Sequence, residues 1–227
     1  MNYILHLDTT TKKCSVALAQ NGELMIQKEL LSEEFSHSEQ LHPFIEEVLK
    51  ESGLKASSLS AIAISKGPGS YTGLRIGVAA AKGLCFALDL PLIALNTLEI
   101  MVQPHEVSQY SFIIPMLDAR RMEVYTAIFD GTRKWIQETT AEVLTKETFN
   151  SIVRKEPCLI IGDGAIKFKT LQPKLNASYT SEIHYPLAKD MITLAWSKFN
   201  AKDFEDLAYF EPFYLKDFQT IPAKKYN

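Results

Sequence analysis

The chain opens on a short apolar run, Tyr3-Ile4-Leu5-His6-Leu7, that stops at the polar cluster Asp8-Thr9-Thr10-Thr11. Residues 14–19 then alternate with the period of two that marks a half-buried strand. Asn21-Gly22 follows, and because both residues tolerate the positive φ of a type I′ turn, residues 24–31 read as the return strand of a hairpin. The period then changes: Leu41, Phe44, Ile45, Val48 and Leu49 form one apolar stripe at helical spacing. Ser36 and Glu39 stand at capping-box spacing at its start, Gly53 is a natural stop, and Pro43 predicts a kink or the start of the regular part. Ala61-Ile62-Ala63-Ile64, flanked by turn residues, predicts a strand buried on both faces. The segment Gly67-Pro68-Gly69-Ser70-Tyr71-Thr72-Gly73 leads into a second helix ending near residue 88. Its many glycines and alanines let another helix approach closely, while Arg75 and Lys82 argue against a membrane span. Residues 92–95 predict another buried strand, with a short helix after Asn96.

The second half repeats the first. Ile113-Ile114-Pro115-Met116-Leu117-Asp118 echoes the opening strand, residues 123–129 the second, and Asp130-Gly131 the hairpin turn. Residues 135–144 predict the third strand, 145–155 a helix, and Cys158-Leu159-Ile160-Ile161 the counterpart of the strand at 61–64. A three-strand meander followed by helix, strand and helix, stated twice, predicts an α/β protein of the duplicated actin-like (ASKHA, ribonuclease H-like) fold. Two related lobes are expected, residues 1–105 and 106–227, each a mixed sheet flanked by helices. Ligands in such a fold sit in the cleft between the halves, near the ends of the first strands.

Composition narrows the class. The 227 residues are 46% hydrophobic and 22% charged, the ordinary globular mixture rather than disorder. No apolar run approaches the roughly 20 residues that cross a bilayer, and the opening residues lack a basic, cleavable leader, so a cytoplasmic protein is expected. Cys14, Cys85 and Cys158 are too scattered for a disulfide framework or a CxxC pair and read as buried thiols. With 24 Lys and Arg against 27 Asp and Glu, the formal charge is −3. Overall charge therefore does not drive nucleic-acid binding, and a partner is expected to supply most such contacts.

Asp8 and Asp118 end equivalent strands. In ATP-using members of this fold class the following hairpin is glycine-rich, so that backbone N–H groups reach phosphates. Here Thr9-Thr10-Thr11 and Ala119-Arg120-Arg121 follow, which favours turn capping over magnesium–nucleotide binding. The loop at 67–73 lacks the Lys-Ser or Lys-Thr of a Walker A loop, and Tyr71 occupies the centre where a nucleophile elbow has serine. Two readings stay open for it: an anion site at a helix N-terminus, or a strand-to-helix turn that needs glycine for backbone reasons. His37 and His42 lie about 140° apart on a helix, the wrong spacing for two ligands on one face. His6 reads as a hydrogen-bonded core residue, and His105 and His184 stand alone, so no metal site assembles from spacing. Arg120 and Arg121 read as solvated turn charges or as an anion or interface contact. Residues 209–216 read as an aromatic anchor packed on the body. Lys167, Lys169 and Lys174 read as solvated, with phosphate contact as the alternative.

Several segments stand in the order seen in the TsaB family, also called YeaZ. They are Ile4-Leu5-His6-Leu7-Asp8-Thr9-Thr10, His37-Ser38, the glycine segment continuing through Leu74-Arg75-Ile76-Gly77, Asp118-Ala119-Arg120-Arg121 with Glu123-Val124-Tyr125, and Pro212-Phe213-Tyr214-Leu215. The chain resembles that family over nearly its whole length, although Lys216 stands where an arginine is usual. The resemblance implies a non-catalytic subunit of the bacterial machinery that makes N6-threonylcarbamoyladenosine at position 37 of tRNAs reading codons that begin with A. It implies as partners the paralogous transferase TsaD, which moves the threonylcarbamoyl group from threonylcarbamoyl-AMP to adenine, and the ATPase TsaE. A homodimer is implied where TsaD is absent, and tRNA is met mainly through the complex.

No catalytic residue, cofactor or metal is expected in this subunit. Where TsaD-type proteins have an Asn followed by a metal-holding HxxxH pair, this chain has Asn96 with Thr97 and Met101 at the histidine positions. The first-lobe helices are the expected partner surface, through Leu41, Ile45, Leu49, Leu74, Gly77, Ala80, Ala81 and Leu84. A large residue at Gly77 or Ala80 is expected to clash at that seam. Asp8, His37, Gly67, Gly69, Ser70, Arg75, Asp118 and Arg120 match family-motif positions that serve either folding or assembly. Two other classes compete: an actin-like-superfamily small-molecule kinase, which needs magnesium–nucleotide binding, and an M22-type metallopeptidase-like protein, which needs bound zinc or iron.

Overall fold

The computed structural model describes residues 1–32, 37–173, 175 and 177–216. In the first half, β1 (Tyr3–Asp8), β2 (Lys13–Gln20) and β3 (Glu23–Leu31) are followed by α1 (His37–Ser52), β4 (Ala61–Gly67), α2 (Tyr71–Leu88), β5 (Leu92–Asn96) and α3 (Thr97–Val102). The second half runs β6 (Phe112–Asp118), β7 (Glu123–Asp130), β8 (Trp135–Val143), α4 (Asn150–Val153), β9 (Cys158–Ile161), α5 (Ala165–Leu171), β10 (Ser178–Tyr179) and α6 (Ile192–Ala201). The sheets are ordered β3-β2-β1-β4-β5 and β8-β7-β6-β9-β10, the same order twice. In each, the meander is antiparallel and the last two strands join in parallel across helical crossovers. The duplicated actin-like architecture expected from the repeat is the one observed.

Alternation along the strands of the first sheet sorts its side chains into two cores. Leu5, Leu7, Val16, Leu18, Ile62 and Ile64 pack beneath α1 and α2. Ile4, Ala17, Ala61, Ala63, Ile93 and Leu95 face the other way, onto Ile100 of α3 and onto Ala188, Met191 and Ala195. The strand at 61–64 is thus buried on both faces, as its unbroken apolar run predicts.

The halves exchange their final helices. Leu98, Met101 and Val102 of α3 leave the first half and pack with Ile113, Leu117 and Phe129 of the second sheet. In return, the 3₁₀ turn Ala188–Met191 and α6 cover the inner face of the first sheet, and Phe210 joins the core under α1 and α2. The expected boundary at 105/106 separates the two sheets in sequence but does not separate their cores, because residues 188–210 pack with the first lobe. Each sheet has two apolar faces to bury, and its own crossover helices cover only one of them.

Residues 145–155, expected as one helix, hold only the four-residue α4. The Thr148 hydroxyl accepts the Thr145 N–H at 2.8 Å, the Thr145 hydroxyl accepts the Glu147 N–H at 3.2 Å, and Phe149 takes a left-handed φ of 58°. Threonine side chains here offer the backbone a turn in place of a helix. The Ser36 half of the expected capping box lies outside the described residues. Among those described, no helix is long and apolar enough to cross a membrane.

Candidate functional site

Asp8 ends β1 fully buried. Its Oδ1 accepts both the N–H and the hydroxyl of Thr10 at 2.9 Å, which is turn capping, while Oδ2 has no hydrogen-bond partner. Burial pushes the carboxyl up to about 7, outweighing the two bonds from Thr10 and the nearby Ser65 hydroxyl. Asp118, the second-half equivalent, also caps its turn: Oδ1 accepts the Arg120 N–H at 2.6 Å and the Lys167 ammonium at 2.7 Å.

Other buried polar groups on the inner face of the first sheet bind the exchanged segments. Ser15 Oγ accepts the Ala188 N–H at 2.9 Å, and the Ser65 and Thr97 hydroxyls lie 2.9 Å apart. His6 Nδ1 sits 3.4 Å from the Ala17 carbonyl oxygen, and burial holds its pKa down to about 4, so the ring is neutral at pH 7. Thr97 and Met101 are wholly buried, with Met101 against Gly162. No group of three or more His, Cys, Asp or Glu able to hold a metal occurs among the described residues. His105 and His184 do not stand alone as expected: their rings meet edge to face at 5.4 Å, and His184 Nε2 lies 2.9 Å from Asp190 Oδ2.

The glycine segment is a close-packed seam. Ser70 caps α2 by accepting the Gly73 N–H at 3.3 Å, and its own N–H donates to the Thr10 carbonyl at 2.7 Å. The Thr9 hydroxyl donates to the Gly73 carbonyl at 2.7 Å, and His37 Nε2 lies 2.7 Å from the Thr11 carbonyl. A Cβ on Gly69 or Gly73 would run into the carbonyls of Thr10 or Thr9. Gly67 has φ +117°, and a Cβ there would lie 2.7 Å from the Phe213 carbonyl oxygen. Phe213 N–H in turn donates to the Lys66 carbonyl at 2.7 Å, and Lys82 holds the Phe210 carbonyl at 2.9 Å. These contacts give the glycines a backbone role: they let α2, the Thr9-Thr10 turn and the C-terminal segment meet at backbone distance.

The same seam carries an aromatic and cationic cluster that sequence reasoning missed. A cavity of about 30 Å³ is lined by Pro68, Gly69, Tyr71, Tyr125, Tyr214 and Lys216, among others. The Tyr71 and Tyr214 rings lie 4.9 Å apart, the Arg75 guanidinium stands 5.3 Å over Tyr71, and Lys216 stands 5.8 Å over Tyr125 and pairs with Glu123. Arg120 and Arg121, both exposed, take left-handed φ values of 70° and 50° in the adjoining hairpin. A tyrosine in each of three separated motifs was the available signal.

The expected partner seam needs correction. Leu41, Ile45, Leu74, Gly77, Ala80 and Ala81 are buried within the chain itself, and only Leu49 and Leu84 are half-buried. A Cβ on Gly77 would collide with the Thr9 hydroxyl, so a large residue there disrupts this fold before any partner is met. The outward face of α2 instead presents Thr72, Arg75, Ala79, Gly83, Phe86 and Ala87. Phe86 is 84% exposed, and Gly83 faces open space. A helix with small residues on every side gives periodicity no contrast from which to choose its buried face.

The repeated sheet topology defines a duplicated actin-like protein. The family model described as TsaD, tRNA N6-adenosine threonylcarbamoyltransferase, matches residues 32–221. The tRNA threonylcarbamoyladenosine biosynthesis protein TsaB of Haemophilus influenzae is 31% identical over 94% of this chain and 93% of its own length. The Escherichia coli protein of that name is 30% identical over 98% and 99%. The solved structure of YeaZ from Pseudomonas aeruginosa superposes with a TM-score of 0.77 at 28% identity, covering 95% of this chain and all of that one. The chain belongs to the TsaB family.

Proposed function

We propose that this chain is a non-catalytic subunit of the machinery that places N6-threonylcarbamoyladenosine at position 37 of tRNAs reading codons that begin with A. It binds and supports a TsaD-type transferase, helps assemble a TsaE-type ATPase on that pair, and meets tRNA mainly through the complex. The relatives' names supply the process. The observation that carries the subunit role is the outward face of α2, where the nearly bare Phe86 stands beside Ala79 and Gly83. Small residues let a partner helix come close, and an exposed aromatic supplies apolar area to bury. The same face serves self-association when the transferase is absent. The accessory reading is supported by Thr97 and Met101, which stand buried where the related transferases have metal-holding histidines, and by Asp8, whose carboxylate is sealed onto Thr10. No cofactor is proposed for the subunit.

The test is co-purification with the TsaD-type partner, followed by threonylcarbamoyl transfer to tRNA with and without this chain. Transfer is expected to depend on it, and Phe86→Asp or Gly83→Leu to abolish co-purification while leaving the melting temperature within a few degrees. Transfer at full rate without the chain sinks the proposal.

A further inference from the structure

We propose that the cluster of Tyr71, Tyr125 and Tyr214 with Arg75, Arg120 and Arg121 is a direct RNA contact for the tRNA substrate. The inference deepens the function proposed above and rests on it.

The formal charge of the whole chain is −3, yet cations gather here with their nearby acids already engaged. Lys216 pairs with Glu123 and Lys167 with Asp118. Arg75, Arg120 and Arg121 make no ion pair among the described residues. Glu211 is the acid that remains close to Tyr214. Guanidinium groups match phosphate oxygens in paired, planar hydrogen bonds, and the exposed Tyr214 ring, steadied by Tyr71, offers an aromatic surface to an unstacked base, the two elements of single-stranded RNA recognition.

The backbone is prepared for such a contact. Arg120 and Arg121 hold left-handed conformations, which non-glycine residues rarely adopt. The hairpin fixes them through the Asp118 cap, the Ala119 N–H on the Glu123 carbonyl at 3.0 Å and the Glu123 N–H on the Arg120 carbonyl at 3.2 Å. Both arginines are therefore displayed from a turn that needs little further ordering. Arg75 lies about 16 Å along α2 from Phe86 at 1.5 Å per residue, so a transferase on the outer part of α2 and an RNA at its start can be held together.

The experiment measures binding of an unmodified tRNA transcript to the full chain in complex with its TsaD-type partner, between 50 and 200 mM salt. Arg120→Glu with Arg121→Glu, and separately Arg75→Glu, are expected to weaken binding at least tenfold at low salt. The double variant should also flatten the salt dependence by about two counterions. Tyr214→Ala should weaken binding without altering that slope. Lys146→Glu with Arg154→Glu, in a groove of the second lobe, is the charge control and should change affinity less than twofold. Should the glutamates disturb the hairpin, Arg120→Ala with Arg121→Ala gives the same test. Unchanged affinity in the arginine variants, or an equal loss in the control, overturns the inference. Loss of the partner instead of RNA makes the patch a protein contact and also overturns it. If the wild-type chain neither binds the partner nor supports transfer, it is the function proposed above that fails.

Discussion

Replacing Asp8 with asparagine isolates the electrostatic cost of burying that carboxyl. The Asp8 carboxyl titrates at about 7 when folded against an ordinary 3.8, because burial penalises its charge. The folded state therefore holds the extra proton between those values, so the group's contribution is complete below pH 4 and is lost as pH rises to 7. About three pKa units at 1.36 kcal/mol each amount to about 4 kcal/mol. Asparagine keeps the Oδ1 acceptor for Thr10 but puts an amide where Oδ2 has no partner, a cost of about 1–3 kcal/mol that does not vary with pH. Asp8→Asn should therefore be less stable than the wild type at pH 4 and equal or superior at pH 8. His6 works in the opposite direction: with its folded pKa lowered to about 4 from 6.5, stability is lost as pH falls through that interval. The two slopes cancel between pH 4 and 6.5 in the wild type, and the variant uncovers the slope of His6. Urea denaturation at half-unit pH steps measures this, and a stability difference that does not change with pH between 4 and 8 would refute the argument.

The glycine seam makes an equally direct prediction: Gly73→Ala drives a methyl into the Thr9 carbonyl and should cost about 3 kcal/mol, whereas Gly83→Ala meets nothing and should gain up to about 1 kcal/mol of helix propensity. Thermal melts compare them, and equal effects would contradict the packing. Phe210→Ala removes the anchor of the C-terminal segment from the first-lobe core and should cost about 3 kcal/mol, lowering the melting temperature by roughly 10 °C. The thiols of Cys14, Cys85 and Cys158 are buried, with pKa values pushed up to about 12, 12 and 11. They should ignore a disulfide reagent at pH 8 in the native protein and react fully in urea.

Much of the fold was legible because its signals are short-range. The alternating strands, the Asn21-Gly22 turn and the repeat after residue 112 each depend on neighbours within about ten residues. Turn chemistry was equally local: the prediction that Asp8 and Asp118 cap turns rests on a side chain and an amide two residues away, and both bonds are present. The helix expected at 145–155 failed for a local reason too, since two threonine hydroxyls outcompeted a propensity spread over eleven positions. The candidate site was less legible. Leu41, Leu74 and Gly77, expected at a partner surface, are buried within this chain itself.

The sequence by itself determined the repeated order of strands and helices, the hairpins, and glycine-free turns after Asp8 and Asp118. Only the tertiary structure decided that α3 and the segment 188–210 change lobes, which side of α2 faces outward, and that Tyr71, Tyr125 and Tyr214 share one cavity. Periodicity records that a face must be buried but not what covers it. Partners more than fifty residues apart are chosen by the shape of the remaining core, which no local pattern carries.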